Sequence, residues 1–78
     1  MRAPGMNRLF YIRRYVFGIT QAEMAGIAGV RQNQISRWEH GLRRPSLVEL
    51  ERIRAAAAAR NLPWDDSWFF ELPEEVAA

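Results

Sequence analysis

The chain has 78 residues, which is enough for one small domain with a single hydrophobic core but leaves little room for a deep active-site cleft. It contains no cysteine, which excludes disulfides and thiolate metal sites, and its longest apolar run, the alanines at 55–59, is far below the ~20 residues of a membrane span. All eleven basic residues are arginine, and they concentrate in residues 1–54, which carry a charge of +6 against −4 in residues 55–78.

The positive charge of residues 1–54 favours polyanionic partners, because the planar guanidinium group of arginine forms paired hydrogen bonds with phosphate and guanine. The alternative at this point is an ordinary solvated surface that happens to be rich in arginine. The amino end has no charged block followed by an apolar block, which a secretion signal would show, so we expect a cytoplasmic protein.

Helix signals recur along the chain, and no stretch alternates apolar and polar residues as a strand would. The first predicted helix covers residues 8–17, with Asn7 as its cap and Gly18 as its left-handed stop. Arg14 falls one turn from Phe10 on the face that we expect to be buried. A charge on the core side needs a partner.

Two further helices follow with recognisable ends. The second opens at Thr20, where Glu23 completes a capping box, and it stops at Gly29. The third covers residues 32–40 and ends at Gly41. These short helices, joined by a tight glycine turn, favour a compact helical domain.

The last part of the chain predicts one long and one short helix. Ser46 and Glu49 form a second capping box, and the fourth helix that they open has a predicted buried stripe of Leu47, Leu50, Ile53 and Ala57. Residues 61–63 break it, and a final helix follows at 64–71. We therefore predict an all-α fold: a compact, lambda-repressor-like bundle of about five short helices, with a flexible arm at 1–6, the domain at 7–72 and a frayed acidic tail at 73–78.

The segment from Gln21 to His40 has the layout of a helix-turn-helix. Ala25 supplies the small side chain needed where two short helices cross closely. Gly29 supplies the tolerance of positive φ that the turn needs. Val30, Ile35 and Trp38 then hold the second helix of the motif against the core.

The outward side of that second helix consists of hydrogen-bonding side chains, namely Gln32, Asn33, Ser36 and Arg37. Amides pair bidentately with adenine, and arginine pairs with guanine, in the major groove. We therefore predict that these four residues contact DNA bases. Solvated side chains on a helix used for protein contacts are the alternative.

The run GITQAEMAGIAGVRQNQISRWEHGLRRPS resembles the Cro/repressor-type helix-turn-helix, the lambda-repressor-like or XRE class, and the likeness extends over roughly residues 7–70. The resemblance implies a sequence-specific, usually dimeric, DNA-binding transcription regulator. It matches Gln32, Asn33 and Arg37 to base-reading positions, with Ser36 less regularly involved.

The resemblance also implies backbone contacts and one ion pair. The residues that we expect at DNA phosphates are Gln21, Arg31, Gln34, Arg43 and Arg44. In the family, an arginine four residues before the glycine of helix one pairs with a glutamate late in helix three, which here implies Arg14 and Glu39. Arg13 is a departure, because its slot is often aliphatic in the family.

The aromatic tail carries more apolar surface than one short helix can turn inward. Its residues are Trp64, Trp68, Phe69 and Phe70. We predict that part of it forms a dimer contact, and a local wrap against helices one and four is the alternative.

The combined reading is a DNA-binding repressor that acts as a homodimer on a near-palindromic operator, with residues 32–40 in the major groove and a nucleoid-associated location in the cytoplasm. The alternative is an antitoxin-like or adaptor protein whose main partner is another protein, bound through the aromatic helix. We predict no catalytic residue, metal or cofactor, since the only histidine, His40, has no nucleophile or second ligand near it in sequence.

Overall fold

The computed structural model describes residues 7–71, with the side chains of residues 7–68. Four α-helices and one 3₁₀-helix follow one another within that range, and it contains no strand. The α-helices are α1 at Arg8–Tyr11, α2 at Gln21–Ala28, α3 at Gln32–Glu39 and α4 at Leu47–Ala59; a π-helical segment, Ile12–Phe17, continues α1, and the 3₁₀-helix is Asp66–Glu71. The predicted all-α bundle is confirmed.

Both predicted capping boxes are present. The Thr20 hydroxyl accepts from the Glu23 N–H at 3.1 Å, and the Glu23 carboxylate accepts from the Thr20 N–H at 2.9 Å. Ser46 and Glu49 make the same pair of bonds at the start of α4. The hydrogen bonds from the Thr20 backbone N–H and hydroxyl hold the pKa of the Glu23 carboxyl below its ordinary value. Each box satisfies N–H groups that the first helical turn leaves without a partner.

The first helix departs from a regular α-helix after its first turn. Asn7 caps it as predicted, accepting from the Phe10 N–H at 3.1 Å. The helix then widens, and the Gly18 N–H donates to the Arg13 carbonyl, five residues back, at 2.9 Å. This turn holds one residue more than an α-turn. Gly18 ends it in the left-handed conformation that the sequence predicted.

The core lies between the first helix and α2, α3 and α4. Its buried hydrophobic members are Leu9, Ile12, Met24, Ala25, Ala28, Ile35, Trp38, Leu50, Ile53 and Ala57. Ala25 lies buried as predicted. The predicted stripe of α4 is correct except for Leu47, which is 63% exposed. At 3.6 residues per turn, Leu47 sits about 60° around the helix from Leu50 and about 120° from Ile53, so it falls outside the buried arc.

The chain after α4 folds back on the core. Trp64 and Trp68 are half-buried and pack against the hydrophobic cluster. Their rings meet edge to face at 5.1 Å, and Trp68 also meets the ring of Tyr11 at 5.9 Å. The local wrap, which was the alternative to the predicted dimer contact, therefore accounts for one side of both tryptophans. The side chains of Phe69 and Phe70, and the predicted tail at 73–78, lie outside the described residues.

Candidate nucleic-acid interface

The turn between α2 and α3 depends on one glycine. Gly29 has a φ of +77°, and the N–H groups of Gly29 and Val30 both donate to the Ala25 carbonyl, at 2.8 and 3.0 Å. A Cβ at Gly29 would lie 2.7 Å from Nη1 of Arg52. That same nitrogen donates to the Ala28 carbonyl at 2.9 Å. Arg52 of α4 thus caps the end of α2 and fixes the turn, a role that sequence reasoning missed.

The inner face of α3 is fixed to the core. Ile35, Trp38 and Glu39 are buried, and the Trp38 carbonyl accepts from Nδ2 of Asn7 at 2.8 Å. Trp38 is therefore a core residue, as the sequence predicted. Because α3 is held along its inner side and at its end, its outer side is presented in one orientation.

Glu39 is the centre of a buried polar network. Nε and Nη2 of Arg13 donate to its two carboxylate oxygens, the second at 3.1 Å, and Nη1 of Arg13 donates to the Ile19 carbonyl at 2.9 Å. The Gln21 side-chain amide donates to the same carboxylate at 3.0 Å. The network joins the first helix, α2 and α3, and every buried polar side-chain atom within the described residues has a partner.

The predicted pairing of Arg14 with Glu39 is wrong, because the partner is Arg13 and Arg14 is exposed. Leu9, Ile12 and Arg13 share the buried face, with the i, i+3, i+4 spacing of an α-helical stripe. The wide turn places Gly18 five positions after the buried arginine, rather than the four positions that the resemblance implied. The signal that was available in the sequence was this competing stripe, together with an arginine in a slot that is often aliphatic.

Gln21 also differs from its predicted place. We expected its side chain at a DNA phosphate, but its amide is half-buried and bound to Glu39. Its main-chain N–H belongs to the first turn of α2, where helix N–H groups and the helix dipole favour an anion.

The outer face of α3 carries the residues that were predicted to read bases. Gln32, Asn33 and Arg37 are exposed, and Ser36 is half-buried. At 3.6 residues per turn they occupy one continuous arc, opposite the arc of the buried residues. Gln34, predicted at a phosphate, lies half-buried between the two arcs.

Exposed arginines stand at both ends of α3. Arg31 precedes the helix, and Arg43 and Arg44 follow it in a loop that folds back through a 2.9 Å bond from the Leu42 N–H to the Arg37 carbonyl. Glu39 is the one acid between residues 31 and 44, and it is buried. Among the arginines and acids of residues 31–44, those that are exposed are therefore all arginines.

The described residues offer little for other chemistries. They hold no group of three or more side chains suited to a metal ion, and none of their helices has the length and apolar character to cross a bilayer. His40 is exposed, and its Nδ1 lies 2.8 Å from the Ser36 carbonyl one turn back, which is a helix-end contact.

An anchored helix with a polar outer face, set after a glycine turn and between exposed arginines, defines a DNA-binding helix-turn-helix domain. A family model described as Helix-turn-helix matches residues 12–57, more than half of the chain. The protein therefore belongs to the XRE or lambda-repressor-like helix-turn-helix family and is a DNA-binding regulator. Searches of curated proteins and of solved structures gave no match.

Proposed function

We propose that the protein is a transcriptional repressor that binds a near-palindromic operator as a homodimer and blocks promoter access. The observation that supports this proposal is the outer face of α3, where four hydrogen-bonding side chains lie between exposed arginines. The one acid within residues 31–44, Glu39, is buried in an ion pair. Such a surface attracts a duplex through charge and reads it through base edges.

Base reading is the task of α3. Arg37 pairs with the O6 and N7 acceptors of a guanine, while Gln32 and Asn33 offer amides for adenine, and Ser36 accepts or donates at the edge of the same surface. Two copies related by a two-fold axis present their α3 helices about 34–36 Å apart, one turn of B-DNA.

Phosphate contacts set the register of α3 on the duplex. Arg31 and Gln34 contact phosphates near the start of the helix, and Arg43 and Arg44 contact phosphates near its end. Gln21 contributes its main-chain N–H, since its side chain holds Glu39. With three arginine contacts in each protomer, six in the dimer, raising the salt from about 50 to about 200 mM lowers the affinity about a thousandfold.

Fluorescence anisotropy tests the proposal. The purified chain is titrated into the duplex upstream of its own gene and into a scrambled duplex of the same composition, at about 50 and about 200 mM salt. Preference for its own duplex at the higher salt is the expected result. Arg60→Ala is the matched control for arginine variants at α3, because it removes one positive charge at the end of α4. Equal binding to both duplexes would refute sequence reading at this site.

A second candidate is the protein-partner function, favoured by the exposed aromatic side chains of Tyr11 and Tyr15 on the first helix. Their ring centroids lie 5.8 Å apart, and the Tyr11 ring also contacts the ring of Trp68. An antitoxin-like or adaptor protein would use this surface to hold another protein. Absence of binding to either duplex, combined with tight binding to a protein encoded beside its gene, would support this candidate.

A further inference from the structure

His40 is the last residue on the outer side of α3. Its main-chain N–H donates to the Ser36 carbonyl at 3.0 Å, so it continues the helical path one position beyond the end of α3 at Glu39. At 3.6 residues per turn it falls inside the arc of the proposed base contacts, about 20° around the helix from Asn33 and about 40° from Ser36. Its side chain is exposed. His40 therefore belongs to the same surface as those residues.

The imidazole ring of His40 has a defined hydrogen on one nitrogen. Nδ1 lies 2.8 Å from the Ser36 carbonyl oxygen, and because a carbonyl oxygen only accepts, Nδ1 carries the hydrogen. Nε2 of the neutral ring is then an acceptor, and it has no hydrogen-bond partner among the described residues. Phosphate oxygens also accept, so the neutral ring does not bond to them through Nε2. The protonated ring donates from Nε2 and keeps its bond to Ser36.

The position of His40 along the helix favours a phosphate as its partner. Recognition helices contact base edges with their N-terminal residues. His40 comes eight residues after Gln32, about 12 Å along the helix axis, and the major groove is itself about 12 Å wide. The imidazole is thus carried past the bases that Gln32 reaches, to the edge of the groove where phosphates lie.

We propose that the protein takes up a proton at His40 when it binds DNA, and that the imidazolium donates from Nε2 to a backbone phosphate. This inference rests on the proposed function, because it requires α3 to lie in the major groove. The bond forms only with the protonated ring, so the affinity for DNA rises as the pH falls. A phosphate contact carries no sequence information, so the effect is the same on specific and scrambled duplexes.

The charged groups near this imidazole belong to α3 and to the loop that follows it. Arg37, Arg43 and Arg44 disfavour a further positive charge, whereas the carboxyl end of a helix favours one. The neighbouring acid, Glu39, is buried and paired with Arg13 of the first helix. These groups are present in the free protein and in the complex alike.

The helices α1 and α2 pack against α3, and their charged side chains are engaged elsewhere. Arg8 lies over the rings of Tyr11 and Trp68, and the Glu23 carboxylate accepts from the Thr20 N–H and hydroxyl. The phosphate is the charge that arrives with DNA. It is therefore the group that drives proton uptake on binding.

A single histidine makes the test direct. The chain has no other histidine and no cysteine, so His40 is the one side chain of a type that ordinarily changes charge between about pH 5 and about pH 8. Fluorescence anisotropy of the untagged protein is measured on its own-gene duplex and on the scrambled duplex, at about 200 mM salt and from about pH 6 to about pH 8. Uptake of about half a proton per protomer makes the affinity of the dimer rise about tenfold for each unit of falling pH near neutrality, on both duplexes.

Three variants separate the proton from other effects of the side chain. His40→Gln loses the pH dependence because an amide does not titrate. His40→Arg loses it because the guanidinium stays charged, and at pH 8 it binds more tightly than the wild type. The double variant His40→Gln, Arg60→His is the matched control, because it keeps one histidine in the chain but moves it to the end of α4, where it gives no pH dependence. Loss of the helix-end contact alone would change the affinity by the same factor at every pH.

A wild-type affinity that changes by less than about twofold per pH unit would overturn the proposal. A pH dependence that persists in His40→Gln would do the same, as would absence of binding to both duplexes at every pH. Equal binding to the two duplexes with the pH dependence retained would refute only sequence reading by α3. Failure of this inference is therefore distinguishable from failure of the proposed function.

Discussion

Removal of the Arg13 side chain tests how α3 is held. Arg13 is 9% exposed and Glu39 is 3% exposed, and Arg13 supplies two of the three side-chain hydrogen bonds to the Glu39 carboxylate. Arg13→Ala leaves a buried carboxylate with only the Gln21 amide. An orphaned charge of this kind lowers the free energy of unfolding by about 3–5 kcal/mol.

That loss is large for this chain. At roughly 0.05–0.15 kcal/mol per residue, a domain of this size has a total stability of about 4–12 kcal/mol. At about 4–8 °C for each kcal/mol, the midpoint of thermal unfolding falls by about 12 °C or more. The double variant Arg13→Met, Glu39→Leu removes both charges, so it regains most of the loss.

Urea unfolding followed by circular dichroism and by tryptophan fluorescence measures these values. Arg14→Ala is the matched control, since Arg14 is the neighbouring arginine and is exposed; its effect stays within about 0.5 kcal/mol. If Arg14→Ala destabilised the protein as much as Arg13→Ala, the register of the first helix would be refuted. A cost below about 1 kcal/mol for Arg13→Ala would refute the burial argument.

Four further predictions follow from the site and the turn. Arg37→Ala weakens binding to the specific duplex by about 1–3 kcal/mol and leaves scrambled-duplex affinity nearly unchanged in anisotropy; equal losses would make it a phosphate contact. Arg44→Ala weakens both duplexes alike and reduces the slope of log affinity against log salt by about one, and an unchanged slope rejects the contact. Gly29→Ala lowers the unfolding free energy by about 1–2 kcal/mol because its φ is +77°, whereas Gly26→Ala, in the interior of α2 with open space for a Cβ, raises it; equal effects in urea unfolding contradict this. The Thr20 hydrogen bonds lower the pKa of the Glu23 carboxyl from its ordinary value, so its capping contribution is present above that ordinary value and is lost as the pH falls through the lowered folded-state pKa; an NMR titration that gave the ordinary value or more would contradict the capping box.

Local chemistry determined most of the helix ends from the sequence. Asn7, Thr20 and Ser46 cap their helices through side chains that reach N–H groups within three residues, and Gly18 and Gly29 stop helices because they adopt positive φ. These interactions involve only neighbouring residues, so spacing alone predicts them. The outward arc of α3 is predictable for the same reason, because the period of a helix fixes which residues share a face.

Tertiary packing decided which arginine of the first helix is buried. Two stripes competed there, one containing Arg13 and one containing Arg14, and local propensity does not separate them. Which arginine is buried depends on the positions of Glu39 and of the Ile19 carbonyl, which lie 26 and 6 residues after Arg13. It also depends on the π-helical turn, which holds one residue more than an α-helical turn. The same holds for Gln21, whose amide meets Glu39 only after α2 and α3 have packed together.

Packing also decided the partners of the later residues. The spacing of Leu47 from Leu50 placed it in a buried stripe, but Leu47 lies about 120° around the helix from Ile53, outside the arc that faces the core, and is exposed. No sequence motif marks Arg52. Its contact with the turn at Gly29 follows from the crossing of α4 with the end of α2. The sequence by itself therefore determined the helices, their ends and the polar face of α3, because these depend on neighbours in the chain. Which side chains hold that face in place was decided only by the tertiary structure, because those contacts join residues that are distant in sequence.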